Sequence, residues 1–339
     1  MMRRREEEEC HDNVVIAYNK GVSCGRNYAS QKCENGEIVT FPTFSRCFDE
    51  KREIKYGVWS SEDRVWYEKV FPKMYDDAVC VLKGPERRKI PKIVHQIWLG
   101  SSLPIKFREM RERWIRIMGS EWKFILWDEV SISMFGLKNI EAYESAGNYG
   151  EKSDIARYEI LYRMGGVYLD TDMEPYRSLE PIHNRFEFYA GIANTETIEL
   201  NNALIASVPR HAILKECMKR VRDNHNTAKS NKRLMSMIGN FLPVNSSTTK
   251  LLTNENDAMS TITKTGPGMF TRAFMKIVTS SSNVHHVAAF PPSFFYPFPN
   301  NKREDVDFDK RNQFQRPESF CTHHWAATWN SKSKSRHEW

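Results

Sequence analysis

The stretch KSDIARYEILYRMGGVYLDTDMEP, Lys152 to Pro175, constrains the fold of this chain more than any other. Apolar Ile155, Tyr158, Leu161 and Tyr162 recur three and four apart, which predicts a helix over Ser153–Met164. Ser153 is its expected N-cap and Gly165-Gly166 its C-terminal stop. Val167-Tyr168-Leu169 then reads as a short strand that delivers Asp170-Thr171-Asp172. Open α/β sheets bind ligands beyond the carboxyl ends of their strands, so two carboxylates stand where a ligand would sit.

The residues upstream supply the rest of such a sheet. IPKIVHQIWLG, from Ile90, is a β-branched run closed by Gly100, and a helix follows over Ile105–Met118 with Phe107, Met110, Trp114 and Ile117 on one face. Trp122–Trp127 is the next strand, and strand, helix, strand at these lengths opens a βαβ unit with parallel strands. Downstream, strands are expected near Phe186–Gly191 and Ala203–Ser207, with helices around Ala212–Val221 and after Pro267. Past Val287 the chain is rich in proline and aromatics. Residues 1–88 form an N-terminal extension with a helix around Ser61–Val70 that ends near Phe71-Pro72, and Lys83–Arg88 is a turn-rich linker. The main domain spans 89–330, and 331–339 is a polar tail.

Composition narrows the class. Hydrophobic residues at 40% and charged residues at 27% of 339 are those of a globular enzyme that buries a large core. A net charge of +7, scattered over the chain, suits an anionic small molecule such as a nucleotide diphosphate, and no nucleic-acid-binding signature accompanies it. Seven cysteines without a CxxC pair favour a reducing compartment. The four from Cys10 to Cys47 leave room for a small zinc or disulfide site, without the spacings of a zinc knuckle. No apolar run approaches the ~20 residues of a transmembrane helix, and no apolar stretch follows the basic start, so a cytoplasmic location is expected, with peripheral membrane association left open.

Paired carboxylates at a strand end can hold a divalent cation and leave positions for phosphate oxygens. A nucleotide sugar, which releases a diphosphate when its bond to the anomeric carbon breaks, needs positive charge there. Spacing alone is cheap, because Asp305-Val306-Asp307-Phe308-Asp309 repeats it. That copy lies in the polar run NKREDVDFDKRN with no strand feeding it, and is expected as solvated surface.

The flanks of Asp170 and Asp172 resemble the DxD region of glycosyltransferase family 32, clearly from Ile90 to Pro181 and in patches to Trp329. The resemblance implies a GT-A fold, a Rossmann-like, mostly parallel sheet flanked by helices, and a retaining reaction that uses Mn²⁺ or Mg²⁺. It assigns Asp172 to the metal, and Asp170 to the ribose and the metal's shell. Asp154 and Arg157, one helical turn apart, match a pair that reaches the donor sugar and its diphosphate; an ordinary intrahelical ion pair is the alternative. Gln96 and Trp98, in HQIWLG, are assigned to the donor, with Trp98 matching an aromatic that stacks on the base, and a core tryptophan as the alternative. Tyr168, Asn202 and Trp329 join the donor pocket, and Asn201 competes with Asn202 as the counterpart. In HHWAATW, His323 is the preferred third metal ligand and His324 stays open. Thr265-Gly266-Pro267-Gly268 resembles a turn near the acceptor, with an ordinary turn before a helix as the alternative.

The implied reaction moves a hexose from a nucleotide-sugar donor to a glycan, lipid or protein acceptor: mannose from GDP-mannose first, galactose or glucose from a UDP-hexose next. Two rivals are a non-catalytic sugar- or nucleotide-binding protein of the same fold, and a DxD phosphatase whose first aspartate attacks phosphate. The phosphatase pattern wants Thr or Val where this chain has Glu174.

Overall fold

A computed structural model of the protein describes residues 28–32, 38–48, 64–83, 90–195, 197–239, 258–280 and 286–326. A hairpin of β1 (Tyr28–Lys32) and β2 (Ile38–Pro42) comes first. Residues 64–83 are helical in one run, which overrides the expected stop at Phe71-Pro72. A wide turn over Trp66–Val70 precedes helix α1 (Phe71–Lys83), and the Phe71 N–H already reaches back five residues to the Trp66 carbonyl. The missing N–H of Pro72 therefore falls where the regular ladder is interrupted, and the helix survives it.

The central sheet holds β3 (Ile93–Ile97), β4 (Lys123–Trp127), β5 (Gly166–Leu169), β7 (Phe188–Ile192), β8 (Leu200–Ser207) and β9 (Val287–Phe290), in the spatial order β4-β3-β5-β8-β7-β9. Pairing is parallel for β3 with β4 and β5 and for β7 with β9, and antiparallel for β8 with both its neighbours. One strand thus runs against the other five, and the sheet is the mostly parallel, Rossmann-like one expected. Two short strands outside it, β6 (Met173–Pro175) and β10 (Cys321–His323), pair antiparallel.

Helix α2 (Ile105–Met118) forms over the expected residues and buries Phe107, Met110, Trp114 and Met118; Ile117 sits at the edge of that face. Helix α3 (Tyr149–Met164) starts four residues before the expected Ser153, because Asn148 is the cap: its Oδ1 accepts the Glu151 N–H at 2.9 Å. Gly165 closes the helix at φ +65°, and Gly166 follows at φ +98°. A Cβ on Gly166 would collide with the Ile93 carbonyl, so glycine lets β5 start tight against β3. Helix α3 packs on β3, β5 and β8 and on α4 (Ala212–Gly239), while α5 (Ala258–Lys264) and α6 (Pro267–Ser280) complete that layer.

The aromatic run after β9 is core. Phe290, Phe294, Phe295, Tyr296 and Phe298 are all fully buried and pack on Phe320, Tyr75 and Phe41, so α1 and the end of β2 share the core of the sheet. Among the described residues no helix is long and apolar enough to cross a membrane. Cys47, Cys217 and Cys321 are buried free thiols; Cys10, Cys24 and Cys33, the linker after Lys83 and the tail lie outside the described residues.

Candidate functional site

The site begins where β5 ends. The Asp170 N–H bonds to the Ala203 carbonyl of β8 at 2.8 Å, and the Tyr168 hydroxyl donates to Asp170 Oδ1 at 2.7 Å. Three residues past Asp170, Met173 opens β6 and pairs with His323 of β10. That pairing sets His323 Nε2 3.1 Å from Asp172 Oδ1 and 3.8 Å from Asp170 Oδ2. The second Asp172 oxygen accepts the Ala326 N–H at 2.9 Å. One ligand atom from each of Asp170, Asp172 and His323 lies within 4.8 Å of the others. Two carboxylates and an imidazole form a mixed oxygen and nitrogen donor set suited to a divalent cation such as Mn²⁺, and the residues present fit that group.

Electrostatics agree with such a cluster. Burial works against the Asp172 carboxylate, yet the charge and hydrogen bond of His323, with the Ala326 N–H, hold its pKa down to about 2. Burial raises Asp170; Arg157 opposes that rise, and the neighbouring Asp172 charge adds to it. For His323 burial disfavours the charged ring, but the two aspartates outweigh it and raise its pKa.

A second set of residues backs the first from α3. Asp154 and Arg157 pair at 3.2 Å with both side chains almost wholly buried, which excludes an ordinary surface ion pair. Arg157 also lies 3.2 Å from Asp170 Oδ1, donates to the Asn202 carbonyl at 2.8 Å and covers the Tyr168 ring at 4.2 Å. Ser153 holds Arg157 Nη2 at 2.9 Å and meets the Tyr168 hydroxyl at 3.1 Å, a role its reading as a cap missed. The two Asp154 oxygens accept from Asn202 Nδ2 at 2.8 Å and Thr265 Oγ1 at 2.9 Å. Burial, set against Arg157, lifts Asp154 to about 6.

Asn202 reaches Asp154 because β8 is irregular there. Against β7 the register passes from Ala190↔Ile205 to Gly191↔Asn201, so residues 202–204 are extra on β8, and the bulge re-aims Asn202 toward α3. Asn201 turns its Oδ1 back to the Ala203 N–H.

These residues line one cavity of about 690 Å³, with Trp98, Tyr168, Asp154, Arg157, Asp170, Asp172, Asn201, Asn202, Glu199 and His323 on its walls. Trp98 is half-buried: it lines the cavity, its Nε1 donates to Ser101 Oγ at 3.2 Å, and its ring also packs on Phe107 of α2, 5.5 Å between ring centres. Gln96 is a correction: it is fully buried, its Oε1 accepts from Arg111 of α2 at 3.0 Å, and it does not line the cavity. It shares the α2 face of β3 with Trp98 but lies one pleat short of the strand's carboxyl end, where the helix covers it. Trp329 lies outside the described residues.

Of the two histidines, His324 turns away. Its Nε2 meets Glu174 Oε2 at 2.8 Å, Arg113 pairs with the other Glu174 oxygen, and the Arg311 guanidinium donates to the His324 carbonyl at 2.6 Å. Glu174 and Thr265 thus anchor the site without having been read as part of it. The signal for Glu174 was its place two residues past Asp172. Thr265 was assigned to a turn near the acceptor, whereas its hydroxyl holds Asp154.

Residues 104–189 match the family described as glycosyltransferase sugar-binding region containing DXD motif. Over these residues the chain carries that glycosyltransferase region, with Asp170 and Asp172 as its DXD pair. Among relatives, the chain is 31% identical over 161 residues to inositol phosphoceramide mannosyltransferase 1 of Schizosaccharomyces pombe, covering 44% of this chain and 46% of that protein. It is 30% identical over 142 residues to a mannosyl phosphorylinositol ceramide synthase of Saccharomyces cerevisiae, covering 41% and 36%. It thus spans less than half the length of these two relatives. Among solved structures, the catalytic domain of alpha-toxin from Clostridium novyi aligns at 10% identity and a TM-score of 0.45, over 78% of this chain and 84% of that one.

Proposed function

We propose that this chain is a metal-dependent, retaining hexosyltransferase that takes a nucleotide-diphosphate sugar. The observation that carries the reading is the meeting of Asp170, Asp172 and His323, from segments far apart in the chain, on the wall of a cavity that also holds the buried Asp154–Arg157 pair. A divalent cation there supplies charge to the departing diphosphate. Asp172 and His323 hold it directly, and Asp170 shares its shell and the ribose. Arg157, fixed by Asp154, Ser153 and the Asn202 carbonyl, needs no rearrangement to face growing negative charge. Trp98 offers a ring on the cavity wall for the nucleotide base, and Tyr168 and Asn202 position Asp170 and Asp154.

In this reaction the bond from the anomeric carbon to the diphosphate oxygen breaks. The acceptor hydroxyl oxygen bonds that carbon from the same face, and its proton leaves with the phosphate. Mannose from GDP-mannose is the favoured donor, since both relatives named above are described by mannosyl transfer to ceramide-linked inositol phosphate, and a lipid headgroup is the favoured acceptor. The test is release of GDP or UDP from GDP-mannose, UDP-galactose and UDP-glucose, with Mn²⁺ or with EDTA. Release from one donor that EDTA abolishes is expected; a folded protein that neither binds nor cleaves any donor in Mn²⁺ refutes the reading.

A further inference from the structure

One carboxylate on the cavity wall has no part in the diphosphate end of the site. Glu199 stands just before β8, lines the cavity and is 7% exposed. Its backbone is held firmly: the Glu199 carbonyl accepts the Ala193 N–H at 2.9 Å, and the next N–H, of Leu200, donates to Thr271 Oγ1 at 2.9 Å. Among the described residues its side chain meets no hydrogen-bond donor and no cation. Other buried carboxylates are served. Glu151 accepts from the Gly147 N–H and the Thr261 hydroxyl, Glu159 from the N–H groups of Lys138 and Asn139, and Glu216 pairs with Arg220 and Lys276. Burial lifts Glu199 to about 7, and its carboxylate, unpaired among the described residues, opens only to the cavity. A buried polar group left unpaired on a cavity wall calls for a partner that enters with a ligand.

We infer that Glu199 accepts hydrogen bonds from hydroxyl groups of the transferred sugar and so sets which hexose the site takes. The inference rests on the glycosyl-transfer reading. Roughly 7 Å of strand separates Glu199 from Asn201, and Asn201 and Asn202 continue the same wall to Asp154 and Arg157. A carboxylate offers two acceptor oxygens to a vicinal diol, and a site built on such an acceptor rejects a sugar whose hydroxyls point elsewhere, because the buried carboxylate is then left unpaired.

The experiment compares the full chain with Glu199→Ala and Glu199→Gln in Mn²⁺. Calorimetric affinities are measured for GDP, UDP, GDP-mannose, UDP-galactose and UDP-glucose, beside melting temperatures. In both variants the bare nucleotides should bind within about twofold of wild type. The preferred nucleotide sugar should bind about tenfold to a hundredfold more weakly, as expected for a lost hydrogen bond to a charged group. Preference among the three sugars should narrow accordingly. Glu199→Gln should melt at the wild-type temperature or above it, since it removes an uncompensated buried charge. Equal weakening of bare nucleotide and nucleotide sugar, or none of either, overturns the inference while leaving the transferase reading standing. A wild type that binds no nucleotide sugar overturns that reading and this inference with it.

Discussion

The chain writes the same spacing twice, at Asp170-Thr171-Asp172 and at Asp305-Val306-Asp307-Phe308-Asp309, and folds the two in opposite senses. In the first, the strand end turns the carboxylates inward, where Tyr168, Arg157, His323 and the Ala326 N–H converge on them. In the second, the three aspartates face solvent and Phe308 turns in, stacking on His324 at 3.8 Å between ring centres. Among the described residues Asp307 pairs only with Lys310, an exposed pair at 2.9 Å. Two carboxylates one residue apart become a site only when other parts of the chain supply the third ligand and the fixed charges around them.

The largest effect that can sharpen this contrast comes from removing one carboxylate of each copy. Asp172→Asn should lower Mn²⁺-dependent nucleotide release about 10²–10³-fold, as for loss of a preorganised charge at a reacting centre, and an active Asp172→Asn enzyme would break the metal assignment.

Acid should separate the copies next. His95 and His183 are buried, and burial lowers the pKa of each to about 4, so the fold prefers them neutral. His95 Nε2 meets the Gly165 carbonyl at 2.9 Å, just ahead of the strand that carries Asp170. Between the unfolded value of about 6.5 and 4 the unfolded chain binds more protons, so stability rises with pH and is lost as pH falls through that window. Asp154 and Glu199, raised to about 6 and about 7, act in the opposite sense over the same window, so the check is a difference. Denaturant titrations of His95→Gln should lose less stability between pH 7 and 4 than the wild type, and an identical slope would contradict a neutral buried His95.

A smaller effect belongs to His324→Ala, which strips Glu174 of its imidazole and loosens the strand that presents His323. Mn²⁺ affinity should drop about tenfold, the lower end for a residue supporting a ligand, with a lower melting temperature; unchanged affinity in a Mn²⁺ titration would detach Glu174 and His324 from the site. Thr265→Ala removes one donor from Asp154 and should cost about 1 kcal/mol of stability, together with a severalfold fall in kcat/KM. Least of all, Asp307→Asn should change neither nucleotide release nor melting temperature measurably. A loss there comparable with that of Asp172→Asn would erase the distinction between the copies.

Where the sequence was readable, its signals were local. Helix α2 formed over the expected residues because its apolar face repeats cleanly, whereas α3 buries Glu151, Asp154, Arg157 and Glu159 along with its apolar residues, so no amphipathic period marks its start. Strand β8 begins at Leu200 rather than Ala203, since Asn201-Asn202 reads as a turn until neighbouring strands pair with it. The proline-aromatic stretch was read only as composition, although it seals the core and carries the chain toward β10.

The sequence by itself determined the α/β order, the glycine break after α3, and the two carboxylates that follow β5. Each depends on helix period, backbone sterics or strand alternation among residues a few positions apart. Only the tertiary structure decided that His323 and not His324 meets those carboxylates, that Gln96 is sealed beneath α2, and that Thr265 and a bulge in β8 hold Asp154. Those contacts join segments distant in the chain, and they are fixed by strand register and core packing, which no local pattern encodes.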